Sequence, residues 1–114
     1  MKKPFKGVIP DSFNVAGMTY HVCHVDNKRG NSGYGEINYP KNEVTLFDKI
    51  DEAHVCKDQK VQTFWHEAVH AILSALGESS LCSDEKFVCK FSSLLNELMQ
   101  TASIYESENE HEND

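Results

Sequence analysis

The chain has 114 residues, of which 39% are hydrophobic and 25% are charged, the proportions of one ordinary globular domain. No apolar run approaches the roughly 20 residues that a membrane-spanning helix needs. The formal net charge is -7, and no basic stripe is present that would bind nucleic acid or an anionic membrane. We therefore expect a soluble domain whose partner is a protein or peptide, with no nucleic acid and no membrane involved.

The cysteines and the first residues bear on the compartment. Cys23, Cys56, Cys82 and Cys89 form no Cys-x-x-Cys pair, which argues against a structural zinc ribbon or finger. The basic residues at the start are not followed by the apolar segment of a signal peptide. We therefore interpret the cysteines as free thiols of a cytoplasmic protein.

The first half of the chain has the alternation of β-strands. Residues 15–25 alternate and are rich in β-branched and aromatic side chains, with a turn expected at Ala16 and Gly17. Residues 27–35 are dense in turn formers and are predicted to be a loop. Residues 35–39 and 43–47, separated by a turn, are predicted to form a hairpin in which Ile37 and Tyr39 face Val44 and Leu46.

The second half has helical spacing. Residues 48–60 are polar and aperiodic, and we predict a loop with one helical turn there. From Val61 to Leu76 apolar residues recur every three or four positions, which predicts a helix capped by Gly77. A second helix is predicted from Ser83, with acids in its first turn, to about Ile104. The two helices should form a hairpin.

These elements predict an α+β fold with a small antiparallel sheet of about three strands packed on two main helices. Residues 1–104 are predicted to be one domain. Residues 105–114 are acidic and have no apolar period, so we predict a disordered tail there.

A five-residue motif inside the first predicted helix contains two candidate metal ligands and a candidate proton acceptor. In His66-Glu67-Ala68-Val69-His70, the two imidazoles are four residues apart and project from one helix face, where they can bind a single zinc ion at about 2.0–2.1 Å. Glu67 can reach a water molecule that the metal activates, and can take its proton. Two histidines at this spacing are often plain surface residues, but the helical context and the flanking apolar stripe favour a metal site.

Catalytic zinc usually has three protein ligands and one open position, so a third ligand is expected. The metzincin extension is excluded because Leu73 and Leu76 stand where it needs glycine and histidine. In a helical hairpin, Glu85 lies about one turn from the level of His70, and we favour it as the third ligand. The alternatives that remain open are Asp84, Cys89 and Glu97.

Two further residues precede the motif on segments that could line the cleft. His54 and Tyr39 are candidates to donate a hydrogen bond to an oxyanion. No spacing in the sequence fixes either residue near the metal. Surface or core positions are the more common outcome for such side chains.

The segment Thr63-Phe64-Trp65-His66-Glu67-Ala68-Val69-His70-Ala71-Ile72-Leu73, preceded by a strand hairpin and followed by an acid-led helix, resembles the small zincin metallopeptidases of phages and mobile elements, related in outline to the ImmA/IrrE-type metallo-endopeptidases. The resemblance covers roughly residues 35–100. It implies zinc bound by His66, His70 and Glu85, with Glu67 as catalytic acid and base. It also implies that an edge strand, here Glu43–Phe47, receives an extended peptide by strand addition.

The motif and the resemblance together predict a zinc-dependent metallopeptidase that hydrolyses peptide bonds through a metal-activated water. The alternative from another class is a non-catalytic zinc-binding or zincin-fold module that acts by docking a partner. A third hypothesis is a zinc hydrolase that acts on a substrate other than a peptide. The sequence indicates no particular substrate, cleavage site or oligomeric state.

Overall fold

The computed structural model describes residues 2–4, 7–30 and 33–105 and has the α+β fold expected from the sequence. A mixed sheet of four strands packs against helices, two of which are long. Within the described residues, no helix is both long and apolar enough to cross a membrane. The elements are β1 (Lys2–Pro4), β2 (Ser12–Val15), β3 (Met18–Val25), β4 (Gly35–Asn38), β5 (Glu43–Phe47), β6 (Lys49–Ile50), β7 (Ala53–His54), α1 (Lys57–Leu76), α2 (Ser79–Cys82), α3 (Glu85–Thr101) and β8 (Ser103–Tyr105).

The main sheet has the strand order β2-β3-β5-β4. The turn predicted at Ala16 and Gly17 joins β2 to β3 as an antiparallel hairpin, and both residues have positive φ angles. The β4–β5 hairpin is also confirmed, with Ile37 opposite Val44, whereas Tyr39 lies just beyond β4.

The prediction of an antiparallel sheet of about three strands is wrong in one respect, because β5 pairs in parallel with β3. The β4–β5 hairpin joins the sheet beside β3, so that β5 lies in the sheet interior and β4 at the edge. β5 is the more apolar strand, and its Val44, Leu46 and Phe47 are buried, while Glu36 and Asn38 of β4 are exposed. A strand with polar outward side chains is suited to an edge, so burial decides the order.

Helix α1 begins at Lys57, one turn before the predicted start at Val61, because its first turn is polar and gives no apolar signal. It ends where the sequence predicts. Gly77 has φ 75°, and the backbone N–H of Glu78 donates to the carbonyl of Leu73 at 3.0 Å. This six-to-one bond is a Schellman cap, which needs a residue that adopts the left-handed conformation without strain.

Helix α3 is shorter than the helix predicted from Ser83 to Ile104. Its N-cap is Asp84, whose Oδ1 accepts a hydrogen bond from the backbone N–H of Phe87 at 3.1 Å, so the first helical residue is Glu85. After Thr101 the backbone becomes extended, and β8 pairs with β1. The predicted tail therefore begins inside a strand, and residues 106–114 lie outside the described part of the chain.

Helix α1 is packed on both sides. Its Phe64, Ala68 and Ala71 face the sheet, where they join a buried cluster with strands β3 and β5. On the other side, Val69 and Leu73 join a second cluster with Val88 of α3. The orientation of α1 about its own axis is thereby fixed by two cores, and so is the direction in which the histidines of its motif point.

Edge strand β4 comes close to α1 beside the motif. A Cβ atom at Gly35 would lie 2.6 Å from Cγ2 of Thr63 and 2.7 Å from the carbonyl oxygen of Thr45. No side chain fits between these atoms without a backbone shift. Glycine at position 35 thus lets the edge strand form one wall of the cleft above α1.

Candidate metal centre

The structure brings together His66, His70 and Glu85. Nε2 of His66 lies 3.2 Å from Oε2 of Glu85, and Nε2 of His70 lies 3.0 Å from Oε1 of the same carboxylate. The three donor atoms lie within 4.8 Å of one another. Two imidazole nitrogens and one carboxylate at this separation form a group that could hold a metal ion.

The other three candidate ligands, Asp84, Cys89 and Glu97, do not lie beside the Nε2 atoms of the two histidines. Asp84 caps α3, and Glu97 does not line the cavity at the motif. Cys89 lines that cavity, but its Sγ lies 3.9 Å from Nδ1 of His66, the ring nitrogen on the side away from Glu85. The cap at Asp84 places the next residue, Glu85, in the first turn of α3, where its side chain reaches both histidines.

The group formed by His66, His70 and Glu85 borders a cavity of about 730 Å³, which we call the metal cavity. It lies between edge strand β4 and the two long helices. Glu67 is part of its wall and is only 6% exposed. The wall contributed by β4 and the residues before it is Gly33, Tyr34, Gly35, Glu36 and Ile37. The cavity therefore offers both a strand edge and a buried carboxyl group beside the three donors.

Burial shifts the pKa values of Glu67 and His66. Burial raises the pKa of Glu67 from 4.5 to about 7, with smaller contributions from the negative charges of Glu85 and Glu36. Burial also lowers the pKa of His66, although the nearby Glu85 carboxylate opposes this shift. A neutral His66 ring has the free lone pair that a metal ligand needs. A bound cation would in turn lower the pKa of Glu67 and favour its ionised form.

A thiol lies behind His70 on the side away from Glu85. Cys82 Sγ is 3.4 Å from Nδ1 of His70 and 3.6 Å from the carbonyl oxygen of the same residue. The hydroxyl of Tyr39 is 3.3 Å from the same sulfur. The pKa of Tyr39 is raised, mainly by burial and next by its hydrogen bond with Cys82, so the phenol keeps its proton.

The sequence contains no signal for this role of Cys82, and neither of the two oxyanion candidates, Tyr39 and His54, lines the cavity beside the two histidines. Tyr39 contacts Cys82 and does not line the metal cavity. His54 lines a neighbouring cavity of about 550 Å³, which shares Gln59 and Tyr34 with the first. Of the tyrosines in the described chain, Tyr34 is the one that lines the metal cavity.

We expect Cys82→Ala to weaken the binding of a metal ion by His66, His70 and Glu85 by about tenfold, because a histidine that binds metal through Nε2 carries its proton on Nδ1 and needs an acceptor there. Cys82→Ser, which keeps an acceptor, should lose less. Zinc affinity measured by competition with a chromophoric chelator checks this. Cys23→Ala, on strand β3, is the matched control, and an equal loss in both alanine variants would contradict the role given to Cys82.

No family model, curated protein or solved structure matches this chain. The resemblance to zincin peptidases therefore remains an expectation from the motif residues.

Proposed function

We propose that this protein is a zinc-dependent metallopeptidase. The observation that carries the proposal is the position of Glu67, a buried carboxyl group in the wall of the cavity that also holds the donors of His66, His70 and Glu85. Two neutral imidazoles and one carboxylate form a ligand set typical of catalytic zinc, and three protein ligands leave a fourth position open. A structural zinc site would instead have four protein ligands.

Different residues of the motif and of α3 have different roles in the proposed hydrolysis. Zinc, when bound, polarises the scissile carbonyl and lowers the pKa of the attacking water. His66, His70 and Glu85 hold and orient the ion. Glu67 accepts the proton that the water loses, and then delivers it to the nitrogen of the leaving amine as the C–N bond breaks.

The substrate class follows from the strand that borders the cavity. The prediction that Glu43–Phe47 is the receiving edge is wrong, because β5 lies between β3 and β4. Strand β4, Gly35–Asn38, is the edge strand and forms a wall of the cavity. Its outward backbone groups support binding of an extended peptide by strand addition, which would carry a peptide carbonyl past the histidines.

The test is cleavage of denatured proteins by the zinc-loaded protein, with new chain termini identified by mass spectrometry. We expect cleavage to fall by about 1000-fold in Glu67→Gln, with zinc content unchanged. Glu78→Gln, an exposed acid just beyond the C-cap of α1, is the matched control. Zinc binding without cleavage of proteins, peptides or esters would instead favour a non-catalytic binding module, and cleavage of esters alone would favour a different hydrolase.

A further inference from the structure

Helix α3 carries an apolar stripe, most of which is left exposed by the described part of the chain. Phe91, Leu94 and Leu98 are 50%, 68% and 58% exposed, and Phe87 continues the stripe by one turn. The intervals between these four residues are four, three and four, which is the a/d spacing of a coiled-coil seam. The stripe rises along about 17 Å of the helix.

Phe91, Leu94 and Leu98 lie on a different side of α3 from the metal cavity, and Phe87 lies at the border between the stripe and the α1–α3 core, which it also contacts. Val88 and Ser92, which are fully buried, face α1, and Cys89 and Ser93 line the cavity. On α1, Ile72 and Leu76 are also exposed, at 43% and 67%. Large contiguous patches of exposed apolar surface are uncommon on soluble monomers and often mark interaction sites.

Two charged residues decide which partner fits this stripe. Lys90 and Glu97 are exposed, lie seven residues apart and flank the same edge of the seam, at the heptad position called g. In an antiparallel pair of identical helices, the g positions of the two chains face each other. With Phe91 opposite Leu94 of the second copy and Phe87 opposite Leu98, Lys90 is level with Glu97 of the second copy, and the symmetry repeats the ion pair.

We propose that the apolar stripe of α3 docks on the same stripe of a second copy of this chain, in antiparallel orientation. A parallel pair would place Lys90 beside Leu95, a residue packed against the α1–α3 core, and would leave both charges without an opposite charge across the seam. The antiparallel pair buries the stripe of both chains and satisfies both charges. It is an isologous interface with a two-fold axis.

The docked arrangement leaves the proposed peptidase site accessible. Glu85 and Cys89 face the cavity, whereas the seam residues lie on another side of α3. Each copy would therefore keep its own metal cavity open. The inference does not rest on the proposed function, and zinc content reports on that site separately.

The test is the molar mass of the full chain in solution, from the low to the high micromolar range, by sedimentation equilibrium. We expect a dimer that Leu94→Glu dissociates and that the matched control Met18→Glu, at an exposed apolar position on β3, leaves intact. Glu97→Lys should weaken the dimer on the order of tenfold, because it faces Lys90 twice in the interface. Lys90→Glu combined with Glu97→Lys should restore it.

Circular dichroism and zinc content show whether each variant keeps its fold and its metal site. A wild type that stays monomeric would overturn the proposal and leave the stripe to a different partner. A dimer that survives Leu94→Glu would overturn the location. A dimer whose dissociation constant is unchanged by both the single and the double charge reversal would overturn the antiparallel orientation.

Discussion

Replacing Glu85 with alanine is expected to weaken zinc binding by at least about 100-fold while leaving the fold intact. Its carboxylate lies within 3.2 Å of Nε2 of both His66 and His70, and it is the only carboxylate in the described chain that reaches both rings. Without it, two neutral imidazoles would hold the cation with no charge compensation. The dissociation constant can be measured by competition with a chromophoric chelator at neutral pH.

Asp84→Ala is the matched control for this prediction, because it removes a carboxylate one residue away. Asp84 caps α3 by accepting from the backbone N–H of Phe87, so its loss should cost about 1 kcal/mol of unfolding free energy. Its zinc affinity should stay within about threefold of wild type. Zinc lost with Asp84 and retained without Glu85 would show that the wrong acid has been assigned.

Glu67→Gln is expected to remove a pH dependence from the stability of the metal-free protein. The folded-state pKa of Glu67 is about 7, raised from 4.5 chiefly by burial. The folded state therefore binds a proton that the unfolded state releases between pH 4.5 and 7. The unfolding free energy should fall as pH rises through this window, by about 3 kcal/mol from this one group.

Urea unfolding in the presence of a chelator, at several pH values from 4 to about 8, measures the effect. The difference between wild type and Glu67→Gln should be smallest near pH 4.5 and should grow towards pH 7 in favour of the variant. Other titrating groups, such as Asp48 with its lowered pKa, are common to both proteins and cancel. A difference that is constant with pH would mean that Glu67 ionises in the folded state as it does in water.

The part of the site that depends on local helix geometry could be predicted from the sequence. The spacing of His66 and His70 fixes their common face, and Gly77 marks the end of their helix. The helical hairpin that follows puts Glu85 near the level of the motif. The residues concerned lie within about 20 positions of one another along the chain, where local helix geometry leaves little freedom to rearrange.

The order of the strands and the surroundings of His70 could not be predicted in the same way. The parallel pairing of β3 with β5 depends on which strand gains most from burial in the assembled sheet, a competition among distant segments. Cys82 reaches His70 only because residues 79–82 form one helical turn, and four residues are too few to show a period. The prediction of β5 as the edge strand of the cleft is therefore wrong, and the sequence contains no signal for the thiol beside His70.

X-ray absorption at the zinc K-edge of the purified protein identifies the atoms that bind the metal. We expect about one zinc per chain with nitrogen and oxygen neighbours at about 2.0–2.2 Å, including two imidazoles. A sulfur neighbour at about 2.3 Å would contradict it, because Cys82 or Cys89 would then be a ligand in place of Glu85. A protein that retains no zinc after reconstitution would contradict the metal centre altogether.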